Sequence, residues 1–427
     1  MFNFITIKRN KFFLILLSLF PISIVIGPSI SMANTFLIIF LYLFFFFKHQ
    51  HYKFLYYNKA LRLLCLLYVY LIFNTLISVD YELGLNRNLG FIRLILLFTG
   101  INYYFYISKK NFNFFTIWLI VILVFVTDVY IERLSGTNIF GWGPTEIDGT
   151  LQPDGMRVVS FFKDEPIAGA YISGFVFIIC GYLLSILKND IYKKTLFFSL
   201  FFILLFSIIL TGERSNSIKS IFCFFLFITI IDVIKLKSKI IFFVFLIISI
   251  TLTILNSDYL KQRYFGQLYY EAFLVKDSKF FQENLYLKLY KSGYKVFANS
   301  PFLGVGNKNY RFETCNNDLE KIKKFNYLCS THPHQIYFEF LSEHGLIGTA
   351  ILLSIFFYLI FRNLRIIILS QNYIQIGSFV YLLSVFLPFV PSGSFFSDFN
   401  LTFFFINLSL LYAVNKDTNI FYVEKKY

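Results

Sequence analysis

Three of the five histidines in this chain, His332, His334 and His344, fall in one stretch. It runs Cys329-Ser-Thr-His-Pro-His-Gln-Ile-Tyr-Phe-Glu-Phe-Leu-Ser-Glu-His-Gly-Leu-Ile-Gly348-Thr349 and then turns apolar as far as Phe361. Imidazole is the side chain best suited to taking a proton near neutral pH. Thr331 or His332 can cap a helix here, and Pro333 suits a first turn, where its missing N–H would have no partner anyway. That reading sets His334 beside the unpaired N–H groups and the positive end of the helix dipole, which would keep it neutral. The same helix end would attract a phosphate. Gly345 should stop or bend the helix, and Gly348-Thr349 should open the apolar segment that follows. The plainer alternative is an interfacial histidine at a membrane boundary.

A second candidate is Arg214, in the polar turn Leu210-Thr-Gly-Glu-Arg-Ser-Asn-Ser217 between two apolar runs. An arginine so close to hydrocarbon needs a partner. An anionic ligand would serve, and so would a local ion pair with Glu213 or a reach to lipid headgroups. Gly304-Val-Gly306-Asn-Lys-Asn has the look of a phosphate cradle. It lacks the strand-then-helix context and the Lys-Ser/Thr of a P-loop, so nucleotide binding is not expected. Cys315, Cys329, His332, His334, Glu339 and His344 show no zinc-site spacing, and no metal is expected. Asp154, Asp164 and Glu165 could bind a divalent ion near the membrane, but paired acids in a loop are usually solvated.

The elements that would position these groups are membrane helices. The chain is 57% hydrophobic with 60 Phe and only 15% charged residues, too apolar for a soluble domain of 427 residues. Its repeated apolar runs match the ~17–20 residues of a bilayer crossing. The net charge of +15 comes from scattered Lys and Arg rather than a basic domain, which argues against nucleic acid as a partner and leaves membrane lipid. Lys8, Arg9 and Lys11 before an apolar run resemble a secretory signal. With so many runs behind it, the segment reads as an uncleaved first helix. Twelve spans are expected at about 12–28, 32–47, 61–78, 91–107, 114–131, 167–187, 195–210, 218–234, 240–255, 347–361, 374–390 and 399–414.

Lys48, Lys53, Lys59, Lys109, Lys110, Lys188, Lys193, Lys194, Lys235, Lys237, Lys239, Arg362, Arg365, Lys425 and Lys426 all fall in alternate connections. By the positive-inside rule those connections and both termini are cytoplasmic. The expected fold is an all-α polytopic membrane protein of about twelve transmembrane helices, with one large periplasmic helical loop between spans nine and ten. It divides into spans one to nine at 1–255, the loop with its histidine motif at 256–346, and spans ten to twelve with the tail at 347–427. Helical spacing within Asn284–Phe297 suggests an amphipathic helix across the membrane face, ended by Pro301. Cys65, Cys180 and Cys223 fall inside spans. Cys315 and Cys329 share the outer loop and are expected to pair in an oxidising compartment, free thiols being the alternative.

His334-Gln335, nine residues, then Gly345-Leu-Ile-Gly348-Thr349 resembles the signature of the O-antigen ligases, within the wider O-antigen ligase and polymerase superfamily. The Arg214 turn, the large loop and Pro301-Phe-Leu-Gly304-Val-Gly306 fit the same pattern. The resemblance implies an inner-membrane glycosyltransferase that takes a glycan from undecaprenyl diphosphate and places it on lipid A-core, facing the periplasm, with no cofactor. His334 would deprotonate or orient the acceptor hydroxyl. Arg214 would hold the diphosphate, a task suited to the planar guanidinium fork. The family's second arginine is missing from the matching segment, Glu283-Asn-Leu-Tyr-Leu-Lys288-Leu-Tyr290. Arg263, Lys288 and Arg311 are the substitutes, and Arg311 is favoured because the glycine-rich turn could carry it to His334. Rival readings are a polymerase that uses a second lipid-linked glycan as acceptor, a protein O-oligosaccharyltransferase and, from another class, a lipid-linked glycan transporter. The transporter would require inverted repeats and charges inside spans.

Overall fold

The computed structural model describes residues 11–48, 58–108, 113–143, 146–147, 150–151, 157–163, 165–186, 191–266, 284–315, 325 and 327–422. Lys8, Arg9, Lys53, Lys109, Lys110, Asp154, Asp164, Lys188, Glu283, Lys425 and Lys426 lie outside these residues. After a helical stretch at 11–18 come α1 (Phe20–Ile26), α2 (Pro28–Lys48), α3 (Lys59–Leu76), α4 (Tyr81–Gly90), α5 (Ile92–Ser108) and α6 (Asn113–Ser135). A two-residue antiparallel pair follows, β1 (Glu146–Ile147) and β2 (Thr150–Leu151). Then come α7 (Ala168–Ile186), α8 (Ile191–Leu210), α9 (Arg214–Ile230), α10 (Leu236–Leu255) and the short α11 (Asp258–Lys261), which runs into a π-turn at Gln262–Gly266. The rest is α12 (Leu285–Asn299), α13 (Tyr310–Cys315), α14 (Ile336–Phe361), α15 (Leu364–Ser370), α16 (Tyr373–Val385) and α17 (Asp398–Ala413).

Each expected span coincides with a helical segment, but not every helix has the reach of a span. Among the described residues, seven helical stretches are long and apolar enough to cross a membrane: Pro28–Phe47, Lys59–Leu76, Tyr81–Ser108, Asn113–Ser135, Ala168–Ile186, Leu236–Leu255 and Ile336–Ser370. Thr195–Leu210, Tyr373–Val385 and Asp398–Ala413 are apolar but shorter. At 1.5 Å per residue α16 extends only about 20 Å, against a hydrocarbon core of ~30 Å. Its residues are mostly buried, packed with α7, α9 and α17, so it answers to protein neighbours rather than to lipid. By contrast α10 exposes Ile240, Ile241, Val244, Phe245, Ile247 and Ile248, the face expected of a helix in contact with acyl chains.

Aromatic packing fills the interior. Trp118 lies edge-on to Phe175 and donates its indole N–H to the Leu17 carbonyl, which satisfies the polar end of a fully buried ring. On one end of the bundle Arg87 and Arg93 share the Asp398 carboxylate, which ties α4 and α5 to the start of α17.

The helix expected within 284–297 forms as α12, capped by the Asn284 side chain on the Leu287 N–H. Its buried residues Leu289, Ser292, Gly293 and Val296 recur at the 3–4-residue period of one helical face. That face packs on protein: Tyr290 stacks on Phe338, and Gly293 lies against Pro333. Cys315 and Cys329 are joined by a disulfide with Cα atoms 4.6 Å apart, and so α13 is tied to the segment leading into His334. Cys180 and Cys223 are buried thiols, whereas Cys65 is exposed.

Candidate active site

The helix behind the histidine motif begins later than its residues suggest. Gln335, not Thr331 or His332, is the cap: its side-chain oxygen accepts from the N–H groups of Tyr337 and Phe338 at 2.8 and 3.1 Å. Pro333 is therefore outside the helix, and so is His334. With φ +57°, His334 occupies the left-handed region that a non-glycine residue rarely adopts. Its carbonyl accepts from the Ser392 N–H at 2.9 Å. The ring is half-buried, 4.0 Å from the His332 ring and 6.2 Å from that of Tyr286.

His332 binds the same Ser392. Its Nε2 faces the Ser392 carbonyl at 3.3 Å, so Nε2 carries the proton and Nδ1 accepts from the Thr331 hydroxyl at 2.9 Å. Burial pushes both imidazoles down to about 4. For His334 the neighbouring His332 pushes further and Glu339 opposes. For His332 the Ser392 carbonyl opposes and Lys308 pushes further. His334 is thus neutral at pH 7, through desolvation rather than through a helix dipole.

Gly345 breaks α14 at φ 64°, ψ −171°, a conformation essentially confined to glycine. The break is mended by the Pro301–Gly306 loop through an exchange of partners. In an unbroken helix the Ser342 and Glu343 carbonyls would accept from Leu346 and Ile347. Here the Leu346 and Ile347 N–H groups donate to Pro301 and Phe302 at 2.8 and 3.2 Å, while Ser342 and Glu343 accept from Val305 and Gly306 at 3.0 and 2.9 Å. Each of these main-chain groups thereby keeps a partner. The exchange requires backbone against backbone: a Cβ on Gly345 would collide with Phe302, and one on Gly304 with Glu343 and His344. The glycine-rich loop is thus a splint for the helix, which explains why it accompanies the second glycine motif. Gly306 abuts Ser78, and Gly348 abuts the Tyr70 hydroxyl, which also meets His344 Nδ1 at 3.0 Å. Thr349 is buried in the following turn.

Arg214 is the first residue of α9. The Glu213 carboxylate turns inward, accepting from the Gly169 N–H and the Asn216 side chain. Burial raises it to about 7 against those hydrogen bonds and the charge of Arg157. Gly212, at φ +75°, lets the Tyr259 hydroxyl close onto the turn, which a Cβ would prevent. Its carbonyl accepts from Arg263 Nε at 3.1 Å. Tyr264 completes the joint, with its hydroxyl against Ser217 and the Ile209 carbonyl at 2.7 and 3.0 Å.

Arg263 is therefore the candidate cation that the π-turn brings to Arg214. Burial first, then the like charges of Arg157 and Arg214, hold its proton affinity below the usual arginine value. Tyr259 feels Arg133, Arg263, Arg157 and Arg214 together, with Arg133 lying 3.8 Å from its ring centroid. Arg311 and Lys288 are exposed, on α13 and α12. Tyr286 links the two halves of the site: its ring adjoins His334, and it acts electrostatically on Arg263.

Arg157, Tyr259 and Tyr286 were not legible as site residues. Arg157 arrives through a distant anchor, in which the Val158 N–H donates to the Thr211 carbonyl at 3.1 Å and Glu132 accepts from Val159 and Ser160. The two acids in α6, Asp128 and Glu132, were the available signal, since Asp128 also accepts from Ser160. Among the described residues no three of His, Cys, Asp and Glu gather as metal ligands would.

No curated protein matches this chain. A family model does: residues 199–353, from α8 through the Arg214 turn, the π-turn and the splint to the Gly348-Thr349 turn, match the family described as O-antigen ligase.

Proposed function

We propose that this chain is a glycosyltransferase that moves a glycan from undecaprenyl diphosphate to lipid A-core at the periplasmic face of a bacterial inner membrane. The observation that carries the reading is that Arg157, Arg214 and Arg263 all act electrostatically on Tyr259, while Tyr286 acts on Arg263 and sets its ring 6.2 Å from that of His334. Planar guanidinium forks suit the bidentate grip of a diphosphate. The neutral His334 ring takes the proton of the acceptor hydroxyl as its oxygen bonds to the anomeric carbon. The bond from that carbon to the diphosphate oxygen breaks, and the arginines hold the departing charge. Positioning and charge stabilisation suffice, and neither metal nor nucleotide enters the scheme.

The test is His334→Ala in a deletion strain, with glycans analysed on lipid A-core and on undecaprenyl diphosphate. A positioned base contributes about 10²–10⁴-fold, so transfer should fall by that order in a well-folded protein. Full-length glycan should then accumulate on the carrier above bare core. Normal transfer would remove His334 from the chemistry. Accumulation of single repeat units, some already capped onto core, would mark a polymerase instead.

A further inference from the structure

His334 is the residue whose ring must be aimed, yet its own backbone is left-handed and lies one residue outside the helix. Such a conformation persists only where the surroundings over-determine it. The grip comes from Ser392, whose N–H holds the His334 carbonyl while its own carbonyl holds His332 Nε2. Ser392 sits in the connection between α16 and α17, some sixty residues along the chain. That connection is in turn fixed by a carboxylate from the first turn of α14. Glu339 Oε1 accepts from the Ser394 hydroxyl at 2.7 Å, and Oε2 accepts from the Phe395 N–H at 2.9 Å. Lys308 donates to Ser394 at 2.8 Å, which places an ammonium beside the fully buried carboxylate.

We propose that Glu339 is a positioning residue for His334, acting through the 392–395 segment. The clamp is a closed circuit. From His334 the chain passes through the Gln335 cap to Glu339, and returns through Ser394 and Ser392 to the His334 carbonyl. A carboxylate is required because both of its oxygens accept. The amide of Gln fills the same space, but it removes the negative charge beside Lys308, and its NH₂ can meet Ser394 only by donating to an oxygen that already accepts from Lys308. The inference rests on the role given to His334 above, and its test has a readout that does not.

The experiment uses the full chain in lipid nanodiscs, with Glu339→Gln and the milder Ser394→Ala. Displacing a reacting group by an ångström costs about 10–100-fold in rate. Glu339→Gln should therefore lower kcat by that order at an unchanged donor KM, and Ser394→Ala should do so to a lesser degree. Independently, the pH profile for carbethoxylation of His334 by diethyl pyrocarbonate, read by peptide mass spectrometry, should shift in both variants. If Glu339→Gln does not fold, Ser394→Ala decides alone. The proposal is overturned if the His334 profile in the folded variants stays as in the unmodified chain, whether kcat holds within twofold or falls only with the folded fraction. Should His334→Ala retain full transfer, the assigned reaction fails, whereas a shifted His334 profile in Glu339→Gln would still establish the clamp.

Discussion

The His332 and His334 rings stand 4.0 Å apart, and each is held down to about 4, first by burial. Two consequences follow for His334. Its folded value lies below the ordinary 6.5, so between those values the unfolded chain binds more protons. Its contribution to stability is therefore complete above the unfolded value and is lost as pH falls towards about 4. In catalysis, its acid limb in kcat/KM should lie well below 6.5. Glu213, held near 7, adds a limb of its own. Comparison with His332→Gln isolates His334, because removing its neighbour should move only the lower limb, and upward. A lower limb that stays in place would refute the coupling. The arginines give a second residue-level expectation. Arg263→Lys and Arg157→Lys keep charge but lose the fork, and a charge-assisted hydrogen bond is worth about 1.5–3 kcal/mol. Each should cost roughly 10–100-fold in kcat/KM for the lipid-linked donor, while Arg311→Lys stays within twofold. Equal losses at Arg311 and Arg263 would favour the glycine-turn assignment of Arg311. His334 and Arg214 were visible in the sequence because a titratable or charged type stands at an apolar boundary. Arg263 was one of three, and only the fold of the π-turn onto the Gly212 carbonyl separates it from Arg311.

Helix α14 is two helices joined across a kink at Gly345, and its break and its splint were legible to different degrees. Gly345 was readable as a bend because the residue sits between an amphipathic turn and an apolar run. The splint was not readable, because the partner exchange joins residues forty apart and leaves no local pattern. The start of the helix was misplaced because Gln is not among the favoured caps, whereas Thr331 and Pro333 make a conventional helix start. The splint predicts an asymmetric sensitivity. Gly345→Ala forces a Cβ into a glycine-only conformation and against Phe302, a strain of order 1–3 kcal/mol before the loop has moved. It should lower the thermal unfolding temperature in detergent and disable transfer, because α14, the Pro301–Gly306 loop and Ser342 all shift together. Thr349→Ser removes one methyl group and should leave both measurements near those of the unmodified chain. Unaltered thermal stability in Gly345→Ala, followed by size-exclusion after graded heating, would show that the break is not required.

At the scale of the molecule the two ends of the bundle differ in what they carry. Tyr70 on α3 meets His344 on α14, and one groove is lined by Lys59, Arg62 and Leu63 of α3 with Ser354, Ile355 and Tyr358 of α14. The helices are therefore antiparallel, and Lys59 lies about 16 Å from the level of Tyr70 at 1.5 Å per residue. Lys59, Arg62 and Arg362 thus mark the end of the bundle away from His334. Hydropathy located the apolar helices, but by itself it does not separate lipid-facing helices from short, buried ones such as α16, which are equally apolar. Orientation rests on charge alone: lysines crowd the connection that holds Lys235, Lys237 and Lys239, and the positive-inside rule predicts a cytoplasmic side for it. The α12 surface should then face the periplasm. Both positions are exposed, so single cysteines at Lys288 and Lys237, introduced with Cys65→Ala, report the two sides directly. An impermeant maleimide should label Lys288→Cys in cells whose inner membrane is intact, and Lys237→Cys only after that membrane is opened. The reverse pattern would put the arginine cluster and His334 in the cytoplasm, where a periplasmic glycan could not reach them, and the proposed reaction would fall with the topology.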